Sequence, residues 1–207
     1  ETAHSQGGKQ TEMHVACVLA LLASVVTSSA ERTQEEAAPL ARGMVRSVGF
    51  GSLSTSIPVG SMKGYPYSSV DIYAEDVCTS SRGDLLFFLS PLEMNVINYM
   101  AEGNNKVSLA VRSPDTSSPD PLFNARVTLL GNMTAVADPE AGVRDCYFAK
   151  HPEAHAWEHL KSHKFSFWRF QPQAVHWIGG FGDRHYIGWI DVDIYRDAQP
   201  EEDILMQ

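Results

Sequence analysis

The sequence predicts a mainly β protein of the α+β class, in which short strands form a barrel or a sandwich and a few short helices lie between them. Segments that alternate polar and apolar residues, or that are continuously apolar, recur between Gly, Pro, Asn or Asp residues, which is typical of strands. These segments do not alternate regularly with helices, as they would in a parallel sheet. The chain has 207 residues, 43% of them hydrophobic, which is enough for one domain with a substantial core.

The predicted domain begins with an amphipathic helix. Residues 31–38, ERTQEEAA, are polar, and we expect them to form a linker. The next segment, PLARGMVRSVGF, has apolar residues at helical spacing and is followed by Gly49, a residue type that commonly ends helices. We expect the domain to span residues 39–196 and residues 197–207 to form a C-terminal tail.

Four strands and one helix are predicted in the next part of the chain. The strand patterns are, in order, GSLSTSI, YSSVDIYA, DLLFFLS and KVSLAVR. Between the third and the fourth, PLEMNVINYMAEG carries apolar residues on one helical face and ends at Gly103. This pattern predicts a short helix inserted between strands.

The second half of the chain continues the mixture of strands and helices. ARVTLLGNMTAVA is predicted to be a long strand that bends at Gly131. Asp138, Pro139 and Glu140 form a typical helix start, which predicts a helix running towards Ala149. FSFWRFQPQAVHWIGGFG is predicted to form two aromatic strands, and RHYIGWIDVDIY a trailing extended segment.

Residues 13–30 have the pattern of a cleavable signal peptide, with residues 1–12 upstream of it. An apolar run from Val15 to Val26 is followed by the small residues Ser28 and Ala30. A run of about twelve residues is shorter than the roughly 20 that span a bilayer, so we expect no permanent membrane span. This pattern predicts a secreted or endolysosomal protein, and an ordinary apolar helix is the alternative.

The charge of the chain argues against a nucleic-acid partner. The formal net charge is -9 at pH 7, and no cluster of Lys and Arg stands out along the sequence. Proteins that bind the phosphate backbone usually present a basic patch. We therefore expect no nucleic-acid binding.

A histidine recurs at every fourth position in HPEAHAWEHLKSH, which raises the possibility of a metal site. Pro152 is expected to start a second helix and to leave His151 outside it, and His163 is expected to lie past its end. His155 and His159 remain as the candidate ligands on one helical face. A zinc site needs at least three protein ligands, so we expect no metal and a solvated helix face.

Two cysteines and one glycosylation sequon fit an exported protein. Cys17 lies in the predicted leader, and Cys78 and Cys146 form either one disulfide or two separate buried thiols. Asn132 begins the only Asn-X-Ser/Thr sequon and is the predicted glycosylation site. No GxSxG, HExxH, GxGxxG or P-loop pattern is present, so we predict no catalytic residue.

Several phrases of the sequence resemble the flavin-binding split barrels related to pyridoxamine-phosphate oxidase. These phrases are GSLSTS, DLLFFLSPLEMNVINYMAEGNNKVSLAV, ARVTLLGNMTAV, HPEAHAWEHLKSHKFSFWRF and WIGGFG. Between Leu40 and Tyr186 the chain most resembles the CREG family, which are secreted glycoproteins of that fold. The resemblance implies a six-stranded split β-barrel of the FMN-binding type that forms a homodimer, with FMN at the dimer interface in the catalytic members.

The resemblance also implies where a flavin phosphate would bind. Catalytic relatives use an Arg on the second strand and an Arg-Lys pair at the start of the helix after the third strand. Here Ser68 or Ser69 takes the first place, and Asn95 and Val96 take the second. Replacing cations by neutral groups weakens phosphate binding, because charge-assisted hydrogen bonds are about twice as strong as neutral ones.

Two hypotheses of function follow, with a third behind them. The first is a glycosylated homodimer that binds another protein and has neither a catalytic group nor a cofactor. The second is an FMN-dependent oxidoreductase or a heme-handling relative, whose interface pocket would use Ser69, Ser90, Asn95 and Arg126. Arg126 would then face the cofactor, or it would pair with an interface carboxylate. The third is a structural subunit of a larger assembly.

Overall fold

The computed structural model describes residues 33–79, 82–101, 105–114, 120–136, 142–182 and 185–201. The strands are β1 (Phe50–Ser56), β2 (Pro66–Ile72), β3 (Ala74–Glu75), β4 (Leu85–Leu89), β5 (Lys106–Arg112), β6 (Arg126–Ala135), β7 (Ser166–Ile178) and β8 (Ile187–Ile190). The helices are α1 (Gln34–Val48), α2 (Met94–Met100), α3 (Val143–Lys150) and α4 (Val192–Asp197). Two 3₁₀ helices lie at Pro121–Phe123 and Pro152–His159.

Six strands close into an antiparallel barrel because β2 and β3 act as one strand that is interrupted at Tyr73. Neighbouring strands follow the order β2, β1, β5, β6, β7, β4, β3, so the ring returns to the segment where it began. β2 pairs with β1 and β3 pairs with β4, both antiparallel. β8 pairs with β7 outside this ring. The predicted split-barrel fold is confirmed.

The barrel is split between β2 and β4, because only β3 of the closing strand pairs with β4. Ala74 pairs with Leu86 on the closing strand, but the ladder between these strands includes no residue of β2. The gap that results is flanked by Val70, Asp71 and Ile72 on one side and by Phe88 and Leu89 on the other. We call this gap the β2–β4 cleft.

The core fills the barrel with inward-facing side chains, mainly from β1, β4, β5, β6 and β7. Alternate residues of β5 are buried, as the predicted polar and apolar alternation requires. Trp177 on β7 is the largest of the fully buried side chains. α1 packs at the end where β1 begins, and Tyr73 donates a hydrogen bond from its hydroxyl to the Val45 carbonyl, 2.9 Å away.

The predicted linker at residues 31–38 is wrong for residues 34–38, which form the first turns of α1. Thr33 and Glu36 cap the helix reciprocally, and Ala37 and Ala38 are fully buried. The polar composition of the segment is therefore that of a helix start, with acids in the first turn. Gly49 ends α1 with a φ of 70°, as predicted.

The predicted C-terminal tail is wrong for its first residues, because they pack on α1. Asp197 belongs to α4, and the Glu201 amide donates to the Pro39 carbonyl at 3.0 Å. A Cβ at Gly43 would lie 1.7 Å from the Glu201 carbonyl oxygen, so this contact depends on glycine. Residues 202–207 lie outside the described residues.

Two further expectations for the C-terminal third are wrong. The aromatic segment forms one strand, β7, because it pairs with β6 along its whole length. A register shift at Leu130 and Gly131 accommodates Pro172 in the partner strand, which confirms the predicted irregularity at Gly131. The trailing segment forms β8 and then α4, because the Asp191 side chain accepts hydrogen bonds from the first amides of the helix.

A disulfide joins Cys78 to Cys146, with their Cα atoms 5.7 Å apart. It connects the segment after β3 to α3, which begins at Val143. The predicted helix start at 138–140 lies outside the described residues. None of the helices in the described part of the chain combines the length and the apolarity that crossing a membrane requires.

Candidate functional site

Two of the predicted cofactor-binding residues, Ser69 and Asn95, meet at the start of α2. The Asn95 amide nitrogen donates to the Ser69 hydroxyl at 2.8 Å and to the Leu53 carbonyl at 3.0 Å. The Thr55 hydroxyl donates to the Asn95 amide oxygen at 2.8 Å. Asn95 is buried, and these partners satisfy its hydrogen-bonding capacity within the chain. Its side chain therefore ties α2 to the barrel.

The other residues that the resemblance placed at a phosphate site point elsewhere. Ser68 lies on the outer side of β2 and accepts a hydrogen bond from the Ser54 hydroxyl at 2.9 Å. Val96 is part of the hydrophobic core. The structure thus brings together only half of the predicted set.

Two carboxylates lie in the β2–β4 cleft, beside Asn95 and its hydrogen-bond partner Ser69. The Asp71 carboxylate accepts a hydrogen bond from the Ser69 hydroxyl at 3.0 Å. The Glu93 carboxylate accepts one from the Ser90 backbone amide at 2.8 Å. All of these donors are neutral groups, so they orient the carboxylates without cancelling their charge.

The electrostatics of this pair favour one proton on Glu93. Burial raises the pKa of Glu93 from 4.5 to about 7, and the negative charge of Asp71 contributes to the same shift. The hydrogen bond from the Ser90 amide opposes it. Glu93 therefore changes its charge near neutral pH.

The β2–β4 cleft encloses about 270 Å³ and is largely apolar apart from the two carboxylates. Its lining is Val70, Asp71, Ile72, Phe88, Leu89, Glu93, Trp157, Leu160 and Phe165. Phe165 stacks between Phe88 and Trp157, with ring centroids 5.1 Å and 5.6 Å away. No Lys or Arg is among these described lining residues.

Ser90 and Arg126, the remaining predicted contacts of a cofactor, have local structural roles. The Ser90 hydroxyl donates to the His163 carbonyl at 2.7 Å and accepts from the Leu92 amide. Arg126 donates to the carbonyls of Leu122 and Asn124 at 3.1 Å and 3.4 Å. It therefore holds the loop before β6, on the outer face of the sheet and away from the cleft.

The candidate metal ligands His155 and His159 do not share a helical face, because their segment is a 3₁₀ helix. At three residues per turn, side chains four positions apart point about a third of a turn from each other. His155 stacks on Phe148 with ring centroids 4.0 Å apart. Within the described residues, no group of three or more His, Cys, Asp or Glu side chains could hold a metal ion. The helix begins at Pro152 and leaves His151 outside, as predicted.

Exposed apolar side chains project from α2 next to the cleft. Leu92, Met94, Ile97 and Met100 are between 40% and 64% exposed, and we call them the α2 surface. The last three recur at a spacing of three, so they lie on one face of the helix. Contiguous exposed apolar patches of this kind mark interaction sites.

A second, more open groove of about 520 Å³ lies on the outer face of the sheet. Its lining includes Asn132, Ser54, Ser108 and Gln173. Asn132, the predicted glycosylation site, is half-buried and lines this groove.

The sequence reasoning missed Asp71 and Glu93. The pattern YSSVDIYA predicts a strand that contains Asp71, and PLEMNVINYMAEG predicts a helix that contains Glu93. Neither pattern indicates a functional role for these acids. One sequence signal pointed to Glu93: it lies two residues before Asn95, which the resemblance places where a flavin phosphate would bind. The approach of the two acids is tertiary and has no local pattern.

The chain is similar to proteins of one family over most of its length. The family model described as CREG, beta-barrel, matches residues 32–197. The proteins CREG1 of Gallus gallus and of Homo sapiens are each 24% identical to the chain, over 156 and 157 residues. These matches cover 72% of this chain, 80% of the chicken protein and 70% of the human protein.

Two solved structures are similar to the described barrel. A heme binding protein from Mycobacterium smegmatis has a TM-score of 0.64 and 26% identity, over 79% of this chain. The chain spans only 61% of that protein. A protein of the pyridoxinephosphate oxidase family from Clostridium acetobutylicum, related to general stress protein 26, has a TM-score of 0.54. It is 15% identical, over 78% of this chain and 99% of its own length, and this likeness shows the fold alone.

Proposed function

The chain belongs to the CREG β-barrel family, as its sequence phrases predicted. We propose that it functions as a homodimer that binds another protein and that it has no catalytic group. The observation that carries this proposal is the pair of carboxylates in the β2–β4 cleft. They stand beside the place where the resemblance puts the flavin phosphate. The proposal includes the absence of a bound flavin.

The charges of the cleft oppose a flavin phosphate. A phosphate monoester carries about -1.5 to -2 charges at pH 7. It would approach Asp71 and Glu93, and the neutral groups Ser69 and Asn95 are already engaged with each other. No described lining residue offers a compensating cation. Repulsion and unpaired desolvation would both weaken binding.

The first experiment is a search for flavin in the purified protein. We expect no stoichiometric absorbance near 450 nm, about where flavins absorb, and no saturable binding when FMN is added up to about 1 mM. Arg126→Ala serves as a check on the rival hypothesis, which predicts that this substitution removes flavin. A yellow protein with one flavin per chain would overturn the proposal.

The proposed homodimer uses the α2 surface. Three of its four apolar side chains lie on α2, and Leu92 comes just before this helix. Asn95 anchors α2 to the barrel, so the surface is rigid. A charged residue at the centre of such a contact is costly to bury. We expect Ile97→Glu to convert a dimer into a monomer in light scattering after size-exclusion chromatography.

The matched control is Leu122→Glu, which charges an equally exposed leucine on the first 3₁₀ helix. It should leave the oligomeric state unchanged. A wild-type monomer, or an Ile97→Glu variant that still forms the dimer, would contradict the use of this surface.

The proposed location is secreted or endolysosomal, with a glycan on Asn132. Support comes from the leader pattern at residues 13–30, the position of Asn132 in the lining of a surface groove and the disulfide between Cys78 and Cys146. Expression in a eukaryotic secretory host tests this. We expect a mass decrease on treatment with an amidase that removes N-glycans, and no decrease for Asn132→Gln.

A heme-binding role is the second candidate, because one similar structure is a heme binding protein at 26% identity. Titration with hemin decides between the two. A saturable Soret band at one heme per chain, lost on substitution of a single histidine, would favour heme binding over the protein-binding role without a cofactor.

A further inference from the structure

The β2–β4 cleft combines an apolar enclosure with a buried negative charge that the described residues do not neutralise. Its walls come from four separate parts of the chain: β2, the end of β4, the start of α2 and the segment 157–165. A space of about 270 Å³ holds a molecule the size of one aromatic ring with a short side chain.

The partners of the two carboxylates define the charge that a ligand would meet. Asp71 accepts hydrogen bonds from Ser69 and, at 3.5 Å, from the amide of Asn95. Glu93 accepts from a backbone amide. The three donors leave at least one full negative charge in the cleft at neutral pH.

The negative field reaches a neighbouring side chain on α3. Burial raises the pKa of Tyr147, and the charges of Glu153, Asp71 and Glu93 raise it further. Tyr147 thus stays neutral and adds no negative charge of its own. Asp71 on β2 is the described group whose charge acts on Glu93 across the cleft, and Glu93 in turn acts on Tyr147 of α3.

The aromatic walls favour an organic cation over a metal ion. Phe165 is covered by Phe88 and Trp157, and together these aromatic side chains form an apolar wall against which the carbon stem of an organic cation can pack. A hard divalent cation needs six or more oxygen ligands, and apart from the two carboxylates the side chains that line the cleft are apolar. An anion would be repelled.

We propose that the β2–β4 cleft binds a small organic ammonium ion, with its charged nitrogen between Asp71 and Glu93 and its apolar body against Trp157 and Phe165. The nitrogen can donate up to three hydrogen bonds, which suits two carboxylates. The binding requires no reaction. It goes beyond the protein-binding role and does not depend on it.

The test uses the purified full chain and the probe 2-phenylethylamine, followed by calorimetry or by NMR at pH 8. Two analogues of the same shape separate charge from packing: 2-phenylethanol is neutral and 3-phenylpropionate is an anion. We expect saturable binding of the amine, at least about tenfold weaker binding of the alcohol and no binding of the acid.

Substitutions assign the binding to this cleft. Glu93→Gln and Asp71→Asn should each weaken amine binding by about tenfold, and Trp157→Ala should weaken both amine and alcohol. The control is Glu153→Gln, which removes an exposed carboxylate outside the cleft and should change affinity by less than about twofold. Thermal melting of each variant shows whether the fold is retained.

The protonation of Glu93 gives an independent readout. Lowering the pH from 8 to 6 should weaken amine binding in the wild type several-fold, because Glu93 takes up a proton. In Glu93→Gln this dependence should disappear. Equal binding of amine and alcohol, absence of saturation up to about 10 mM, or an unchanged affinity in a folded Glu93→Gln variant would each overturn the proposal. Flavin binding is measured separately, so the two proposals fail independently.

Discussion

Asp71 and Glu75 lie on the same closing strand, on either side of Tyr73, yet their surroundings differ. Glu75 is buried under α1, where its carboxylate contacts Arg42 and lies 2.6 Å from the Arg46 guanidinium. Asp71 lies at the split, beside a second carboxylate and neutral donors. The half that pairs with β4 thus contains a compensated charge, and the half that does not pair with β4 contains an uncompensated one.

This difference indicates separate roles for the two halves. A buried carboxylate held by two arginines fixes the position of α1, because moving either partner exposes an unpaired charge. A carboxylate pair without a cation gains little for folding and retains its attraction for a ligand. The same residue type is structural in one place and available for binding in the other.

The largest expected effect comes from breaking the compensated half. Arg42→Met removes a guanidinium that contacts Glu75 and donates to the Arg196 carbonyl at 2.8 Å. Leaving the buried Glu75 with only Arg46 should lower the free energy of unfolding by about 3–5 kcal/mol. Urea denaturation followed by circular dichroism measures this loss.

The control for that variant is Arg82→Met, which removes an exposed ion pair with Asp197. Exposed pairs contribute about 0–1 kcal/mol, so its midpoint should hardly move. If the free energy of unfolding falls by the same amount in both variants, burial does not make the Arg42–Glu75 pair more stabilising than an exposed pair. The contrast between the two halves of the closing strand would then be wrong.

The next largest effect is expected at the anchor of α2. Asn95→Ala leaves the Leu53 carbonyl and the Ser69 and Thr55 hydroxyls without their buried partner. We expect a loss of about 2–3 kcal/mol in the free energy of unfolding. Asn105→Ala, at an exposed asparagine, should cost less than about 0.5 kcal/mol in the same denaturation experiment.

The smallest effect is expected from Glu93, and it depends on pH. The folded pKa of about 7 lies above the ordinary 4.5, so the folded state holds this proton more tightly than the unfolded state. Its contribution to stability is complete below about pH 4.5 and is lost as the pH rises through 7. Because Glu93 is only partly buried, we expect a loss of about 1–2 kcal/mol over this range.

Glu93→Gln sharpens this comparison. The variant should lack that part of the pH dependence and should be more stable than the wild type at pH 8. Denaturation midpoints at pH 5 and pH 8 for both proteins measure it. A wild type whose stability rises across this range by the same amount as the variant's would show that Glu93 is not perturbed.

Local signals predicted much of the fold. The strand alternation, the helix stop at Gly49 and the irregularity at Gly131 are all encoded within a few residues. The polar composition around Ala37 and Ala38 predicted a linker, whereas their burial arises because α1 packs against elements that are distant in sequence, among them α4 and β8. The 3₁₀ geometry after Pro152 was also missed, since residue spacing alone does not distinguish it from an α-helix.

The candidate site was less predictable than the fold. The family resemblance implies that Ser69 and Asn95 lie close together as contacts of a cofactor. The structure brings them together, but as hydrogen-bond partners of each other. Asp71 and Glu93 become neighbours only when α2 packs across the split. Sequence spacing contains no information about such a contact.

Tyr73 has a consequence for how the molecule opens. Its amide donates to the Gly49 carbonyl, its hydroxyl to the Val45 carbonyl, and its own carbonyl accepts from the His151 ring. Tyr73, between β2 and β3, thus joins α1 and His151, which lies between α3 and the second 3₁₀ helix. Amide hydrogens on β1 and β4 should therefore exchange with solvent through a shared opening of the barrel, with similar protection on both sides of the interruption.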